Sequence, residues 1–324
     1  MTPPRKPSSQ DPPPQDPPPR KPPLIVVAGP TASGKSALAM ALAADLGGIL
    51  LSADSRQVYR GFDIGTAKPT PAEQAAVPHR LIDVAEPTET FTAAQFRQLA
   101  RAEIAAAHAQ GRMPILVGGT GLYIRSTLGG YALPEVPPDP ALRARLDALA
   151  EPHARLAAVD AVTAARLHPN DRVRIIRALE VFELTGTPIS TLQTREESPY
   201  RLAFLVLDWP REALYARINL RTLQMIEAGL AAEVRALAAR YGPDLPLLRT
   251  LGYAETLRWQ QGELSAEEAI ALIQQNTRRY AKRQIAWFRR EPDAVWLEPQ
   301  CYATMQALKD AALLLIGERL ADSQ

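Results

Sequence analysis

Cysteine, histidine, long apolar runs and an excess of one charge are all scarce in this chain, and each scarcity excludes something. One cysteine, Cys301, in 324 residues rules out an internal disulfide and a cysteine-based zinc site, and fits a reducing, cytoplasmic setting. The four histidines, His79, His108, His153 and His168, stand at spacings that suggest no metal cluster. No apolar run approaches the length of a membrane span, so the chain reads as soluble with no membrane partner. With 37 basic and 35 acidic residues the net charge is only +2, so a surface for a polyanion must come from local clustering.

Proline is plentiful but lopsided. Residues 1–23 hold eleven of the 30 prolines and almost nothing apolar, which predicts an extended, disordered tail. Beyond it the texture is α/β. "LIVVAG" (24–29), "GILLSAD" (48–54) and "MPILVGG" (113–119) read as strands. "SALAMALAADLG" (36–47) and "TAAQFRQLARAEIAAAHAQG" (92–111) read as helices, the second with Thr92 as N-cap and Gly111 as its stop. Alternation of this kind implies right-handed crossovers and a mostly parallel sheet flanked by helices. From about residue 131 to 198 strand signals vanish and helical pieces follow one another. "RLAFLVLDW" (201–209) then returns to strand texture, which predicts an all-helical insertion (131–198) between two parts of one core (24–130 and 199–316).

"GPTASGKS" (29–36) follows an apolar strand and opens a helix, the context that makes this pattern a phosphate loop. Its backbone amides and the helix N-terminus form a positive concavity. Lys35 bridges phosphate oxygens, and Ser36 offers its hydroxyl to Mg²⁺. A phosphate-loop nucleotidase also needs a carboxylate at the end of a nearby strand. "ILVGG" ends instead in glycines and Thr120. The acid comes after the second strand as Asp54, placed either to act as a base across the strand ends or to cap the next turn. "GFDIGTAKPT", with Lys68, suits a binding loop, and Phe96 fits a core position.

Two basic regions stand out. In "NTRRYAKRQIAWFRR" (276–290), Arg278, Arg279, Lys282, Arg283, Arg289 and Arg290 fall within about 140° of a helical wheel. Tyr280, Ala281, Ile285, Trp287 and Phe288 fill much of the remainder, giving a helix docked by its aromatic side with a cationic stripe outward. "NDRVRIIRALE" contributes Arg172, Arg174 and Arg177, while "RINLR" sets Arg217 and Arg221 four apart, just beyond the late strand. An arginine there neutralises phosphate charge opposite Lys35, or else makes a structural ion pair. A phosphate loop, a candidate base, a missing strand-end acid and a cationic platform together suit a diphosphate that departs from carbon, with a nucleic acid supplying the attacking amine.

Seven ordered stretches, "GPTASGKS", "DSRQVYRGFDIGTAKP", "PHRLIDVAEP", "VGGTGLYIRS", "HPNDRVRIIRALEVF", "RTLGYAE" and "AKRQIAWFRR", resemble the tRNA dimethylallyltransferase (isopentenyltransferase) family, from about residue 24 to 297. The resemblance implies a P-loop NTPase-like fold and transfer of dimethylallyl from its diphosphate to N6 of the adenine 3′ to the anticodon, in tRNAs reading codons that start with U. It implies that Gly29, Pro30, Thr31, Ala32, Ser33, Gly34, Lys35 and Ser36 hold the diphosphate with Mg²⁺, that Asp54 is the base, and that Arg221 contacts the diphosphate. Thr31, Lys35, Asp54 and Arg221 are then the catalytic set. It further implies tRNA contacts from Asp54, Ser55, Arg56, Gln57 and Thr120, and from Val173, Arg174, Ile175, Ile176 and Arg177. Arg249, Thr250, Leu251, Gly252, Tyr253 and Ala254 are expected to join them, as are Lys282, Arg283, Gln284, Ile285, Ala286, Trp287, Phe288 and Arg289. The partner implied is a tRNA anticodon stem-loop, met by a monomer. Ala286 departs from a threonine common in that motif, Phe62 from a frequent methionine, and the cysteine count leaves no room for a C-terminal zinc finger. Three rival readings remain at this stage: a transferase that prenylates free AMP, ADP or ATP, a P-loop small-molecule kinase, and a tRNA-binding protein without catalysis.

Overall fold

The apolar runs at the centre of the chain's one six-stranded sheet pair because they are too apolar to face water on either side. The computed structural model describes residues 20–129, 136–193 and 197–321. Most of the proline-rich tail (1–19) and residues 131–135 and 194–196 of the expected insertion lie outside these. The strands are β1 (Pro23–Ala28), β2 (Ile49–Ser52), β3 (His79–Arg80), β4 (Pro114–Gly118), β5 (Arg201–Leu207) and β6 (Ala294–Leu297), in the order β3-β2-β4-β1-β5-β6. Every pairing is parallel; Val27 lies opposite Val117, and Val26 opposite Phe204. A parallel sheet must be covered on both faces, and β1 is buried from Leu24 onward. The short edge strands β3 and β6 had no sequence signal of their own.

Fourteen helices are described. In the first part of the core they are α1 (Lys35–Leu46), α2 (Pro71–Ala76), α3 (Ala93–Ala109) and α4 (Gly121–Thr127). Next come α5 (Pro140–Asp147), α6 (Pro152–Val159), α7 (Ala161–Ala164), α8 (Arg172–Thr185) and α9 (Ile189–Leu192). After β5 the chain forms α10 (Arg211–Glu227), α11 (Leu230–Tyr241), α12 (Tyr253–Gln260), α13 (Ala266–Phe288) and α14 (Met305–Leu320). As expected, Thr92 caps α3: it accepts from the Gln95 amide while the Gln95 side chain accepts from the Thr92 amide.

Alternation along the strands sorts the core into two layers. Leu24, Val26 and Ala28 pack with Phe96, Leu116, Phe204, Val234 and Phe288, under α3 and α11 to α13. Ile25 and Val27 pack with Leu38, Leu42, Ile115, Leu205 and Ile316, under α1 and α14. Phe96 is fully buried and stacks on Tyr123 with ring centroids 4.0 Å apart. Helices α5 to α9 gather a separate cluster around Leu142, Leu156, Ile175 and Leu179. The carboxyl ends of β1, β2, β4 and β5 therefore open on one side of the sheet, where an α/β crevice forms.

Candidate active site

The glycine loop leaves β1 and enters α1 through two left-handed residues, Ala32 (φ 63°) and Gly34 (φ 92°). A non-glycine residue in that region is strained and persists only where its surroundings hold it. Three side chains from the second half of the chain do so. Gln284 Oε1 accepts from the Thr31 amide at 2.9 Å, Arg217 Nε donates to the Ala32 carbonyl at 2.7 Å, and Trp209 Nε1 donates to the Ser33 carbonyl at 2.8 Å. Arg217 also lies 4.5 Å from the centroid of the Trp209 ring, so the two brace each other. Lys35 Nζ donates to the Pro30 carbonyl at 3.1 Å, and burial, reinforced by Arg221 and opposed by Asp54, pushes its pKa down to about 8.

The strand-end carboxylate that β4 lacks has a steric counterpart. A Cβ at Gly118 would sit 2.1 Å from the Ala53 carbonyl oxygen, and one at Gly119 would sit 2.2 Å from Gln284 Nε2. At Gly118 backbone leaves no room for any side chain, and at Gly119 one would have to displace the Gln284 amide. One step across the sheet, Asp54 follows β2. Its Oδ1 accepts from the Arg56 amide (2.8 Å) and more weakly from Gln57 (3.4 Å), so the turn-capping role is real. Its Oδ2 takes no protein hydrogen bond among the described residues, and Asp54 lines the central cavity. The two sequence readings of Asp54 thus belong to its two oxygens.

That cavity, about 770 Å³, is lined by Thr31, Lys35, Ser36, Asp54, Arg221, Tyr280 and Arg283 together, with Lys35, Arg221 and Asp54 close enough to act on one another's charge. Burial holds Arg221 below the usual arginine pKa; Asp54 opposes that shift and Arg217 adds to it. A fixed cation pair and a helix N-terminus therefore face one free carboxylate oxygen. Burial, with Asp54 adding, also pushes Tyr280 up to about 12, so its hydroxyl keeps its proton. Tyr280 had been assigned to the packed side of its helix; the cavity reaches that helix too, which periodicity cannot tell. Among the described residues no three or more His, Cys, Asp or Glu gather as a metal site. The exposed Ser36 hydroxyl suits an ion that takes most of its oxygens from a phosphate chain and water.

The remaining expected residues divide by depth. Ser55, Arg56, Gln57, Arg249, Thr250, Leu251, Gly252 and Ala254 line the cavity, and Thr120 Oγ1 accepts from the Ser55 amide at 3.0 Å. Arg279, Lys282, Arg283, Ala286, Arg289 and Arg290 are exposed on α13 and its end, as the wheel predicts. Arg278 is turned aside, donating to Asn219 Oδ1 at 2.8 Å, and Arg289 pairs with Asp208 at 2.5 Å. Ile285 and Trp287 are half-buried.

Several expectations need correction. The side chains of Ile175 and Ile176 lie in the core of α5 to α9 and that of Phe288 in the main core, while those of Tyr253 and Gln284 are buried yet line the cavity. Arg177 and Arg143 both engage the buried carboxylate of Glu180, while Arg172, Val173 and Arg174 stay exposed at the start of α8, Arg174 beside Asp171 and Arg172 beside Asp147. Lys68 is no ligand group: its ammonium is buried, donating to Asp63 and Asp83 at 2.6 Å each and to the Tyr59 carbonyl at 2.8 Å.

Two carboxylates escaped the sequence reading. Glu233 accepts from the amides of Asp63, Ile64 and Gly65 and from the Tyr253 hydroxyl, pinning the loop after Asp54. Its partners are too distant in the chain for any local signal. Glu255 accepts from the Gly252 amide and from Asn276 Nδ2, which fixes α12 against α13; its position three residues after Gly252 was the available cue.

With this geometry in place, residues 57–291 match the family model described as IPP transferase. The tRNA dimethylallyltransferase of Thermosynechococcus vestitus is 54% identical over 278 residues, covering 85% of this chain and 89% of that protein. That of Gloeobacter violaceus is 54% identical over 303 residues, covering 92% and 99%. Among solved structures, the full-length tRNA isopentenylpyrophosphate transferase of Bacillus halodurans aligns with a TM-score of 0.69 at 38% identity, covering 92% of this chain and 97% of that one. A eukaryotic dimethylallyltransferase acting on tRNA aligns with a TM-score of 0.73 at 27% identity, covering 86% and 74%.

Proposed function

The chain belongs to the IPP transferase family, and from that premise we propose that it moves a dimethylallyl group from dimethylallyl diphosphate to tRNA, at N6 of the adenine 3′-adjacent to the anticodon in tRNAs reading codons that start with U. The observation that carries this reading is the pairing, across one cavity, of Lys35 and Arg221 with the free oxygen of Asp54, beside a β4 end too crowded for a magnesium carboxylate. The first two residues bind an anion that leaves; the third accepts a proton from what arrives.

In the proposed step the N6 lone pair attacks the allylic carbon, the carbon–oxygen bond breaks, and diphosphate departs with that electron pair. Negative charge growing on the leaving oxygen meets the N-terminus of α1 at Lys35 and Ser36, the Lys35 ammonium and Arg221. The Ser36 hydroxyl would help hold Mg²⁺, which would supply further neutralisation of the diphosphate. Asp54 takes the N6 proton, restoring a neutral secondary amine. Thr31, anchored through its amide by Gln284, holds the near wall of the loop. Enclosure limits the access of water to the developing allylic cation.

An adenine inside a stack is out of reach of such a cavity, so the base must be extruded, which costs least in a single-stranded loop. The exposed Arg279 and Arg283 line the cavity, and with the exposed Lys282 between them in sequence they suit the phosphates of an anticodon stem-loop. We place the reaction in the cytoplasm and with a monomer. The test is a competition: labelled dimethylallyl diphosphate, Mg²⁺, tRNA and free AMP in one reaction. Label is expected in tRNA at that adenine; label in AMP alone would overturn the assignment.

A further inference from the structure

Gln284 lies on the helix that carries the cationic stripe, yet it points the opposite way. Arg283 beside it is exposed, whereas Gln284 is only 6% exposed. Both ends of its amide are used: Oε1 accepts from the Thr31 amide at 2.9 Å, and Nε2 donates to the Gly119 carbonyl at 2.9 Å. A flipped amide would set donor against donor and acceptor against acceptor, so the two partners together define its orientation.

From this we propose that Gln284 is a positioning residue whose side chain serves diphosphate capture rather than RNA contact, clamping the phosphate loop to the end of β4 and joining both to the RNA-facing helix. The proposal rests on the function proposed above. Its physical basis is the strain of the loop. Ala32, one residue after the clamped amide, holds a φ of 63° that the loop would relax if it were free. Preorganised amides bind a diphosphate without spending binding energy on reordering. Removing the clamp leaves one donor and one acceptor unpaired beneath the loop, and satisfying them requires the loop to move. The spacing is exclusive as well, since a methyl group on Gly119 would meet Nε2 at 2.2 Å.

The experiment measures binding of inorganic pyrophosphate and of an anticodon stem-loop RNA separately, by calorimetry, for the full chain and three variants. Gln284→Met fills the space without donor or acceptor, and is expected to weaken pyrophosphate about tenfold (~1.4 kcal/mol). RNA affinity should stay within about twofold, with only a modest fall in melting temperature from the two unpaired groups. Gln284→Glu keeps the acceptor for Thr31 but sets a carboxylate oxygen against the Gly119 carbonyl and adds negative charge beneath the loop, so it should weaken pyrophosphate at least as much as Gln284→Met. Gly119→Ala should reproduce the weakening with Gln284 intact, and carries the comparison if Gln284→Met fails to fold. Unchanged pyrophosphate affinity with lost RNA affinity would overturn the proposal and return Gln284 to RNA contact. Because neither arm needs turnover, a failure of label transfer to tRNA would defeat the proposed function without deciding this one.

Discussion

Asp54 does two jobs with two oxygens, and that division makes its role separable. Asparagine preserves the carbonyl acceptor that caps Arg56 while removing the proton acceptor. Asp54→Asn is therefore expected to lower single-turnover transfer by about 10²-fold or more with tRNA binding within about twofold. Turnover within about tenfold of the parent would show that Asp54 is not the base. Lys35 allows a pH test. With its pKa at about 8 in the free protein, it is charged below that value and loses its proton above it. Pyrophosphate affinity should fall as pH rises through 8, and binding between pH 8 and 9 should take up a proton, because the bound anion favours the ammonium form. Calorimetry in buffers of different ionisation enthalpy reads both. Lys35→Arg should flatten that inflection.

Helix α13 shows how far one element can be read before its neighbours are known. Its 3.6-residue period separates Arg279, Lys282 and Arg283 from Ala281 and Phe288 correctly. Periodicity assigns faces, however, and says nothing of what each face meets. Arg278 fell on the cationic arc but Asn219 diverts it; Tyr280 fell on the packed side and lines the cavity. Phe288 sits at the buried end, edge-on to Phe204 with centroids 6.4 Å apart. Phe288→Ala should cost about 3–5 kcal/mol, seen as a lower urea midpoint, because it opens a void where the helix meets the sheet. A loss of RNA affinity with unchanged stability would instead place that ring on the surface. In α8 the same limit applies: its basic residues were visible, but that Glu180 holds two arginines was not, since Arg143 comes from another helix.

At the scale of the molecule the site is assembled from both halves of the chain. The loop, Asp54 and the glycine end of β4 come from the first half; Trp209, Arg217, Arg221 and Gln284 come from the second. The parallel order β2-β4-β1-β5 makes this possible by opening all four carboxyl ends on one side. Helices α5 to α9 intervene in sequence but pack around their own apolar cluster, so they interrupt the chain and leave the sheet continuous.

By itself the sequence determined the central strands, the longer helices and the chemistry-bearing loop, because these depend on local terms: strand and helix periodicity, the Thr92 capping box, and the glycine spacing that leads into Lys35 and Ser36. It also revealed that no acid follows β4. The tertiary structure decided the rest, because side-chain direction and partner depend on groups far away in the chain. Only packing shows that Gly118 and Gly119 are small because Ala53 and Gln284 press on them. Only packing turns Lys68 inward, where its polar, glycine-rich stretch suits a binding loop, and Ile175, Ile176 and Gln284 inward, where the family resemblance implies tRNA contacts. A hydrogen bond between Thr31 and Gln284 spans 253 residues, and no window on the sequence contains both ends of it.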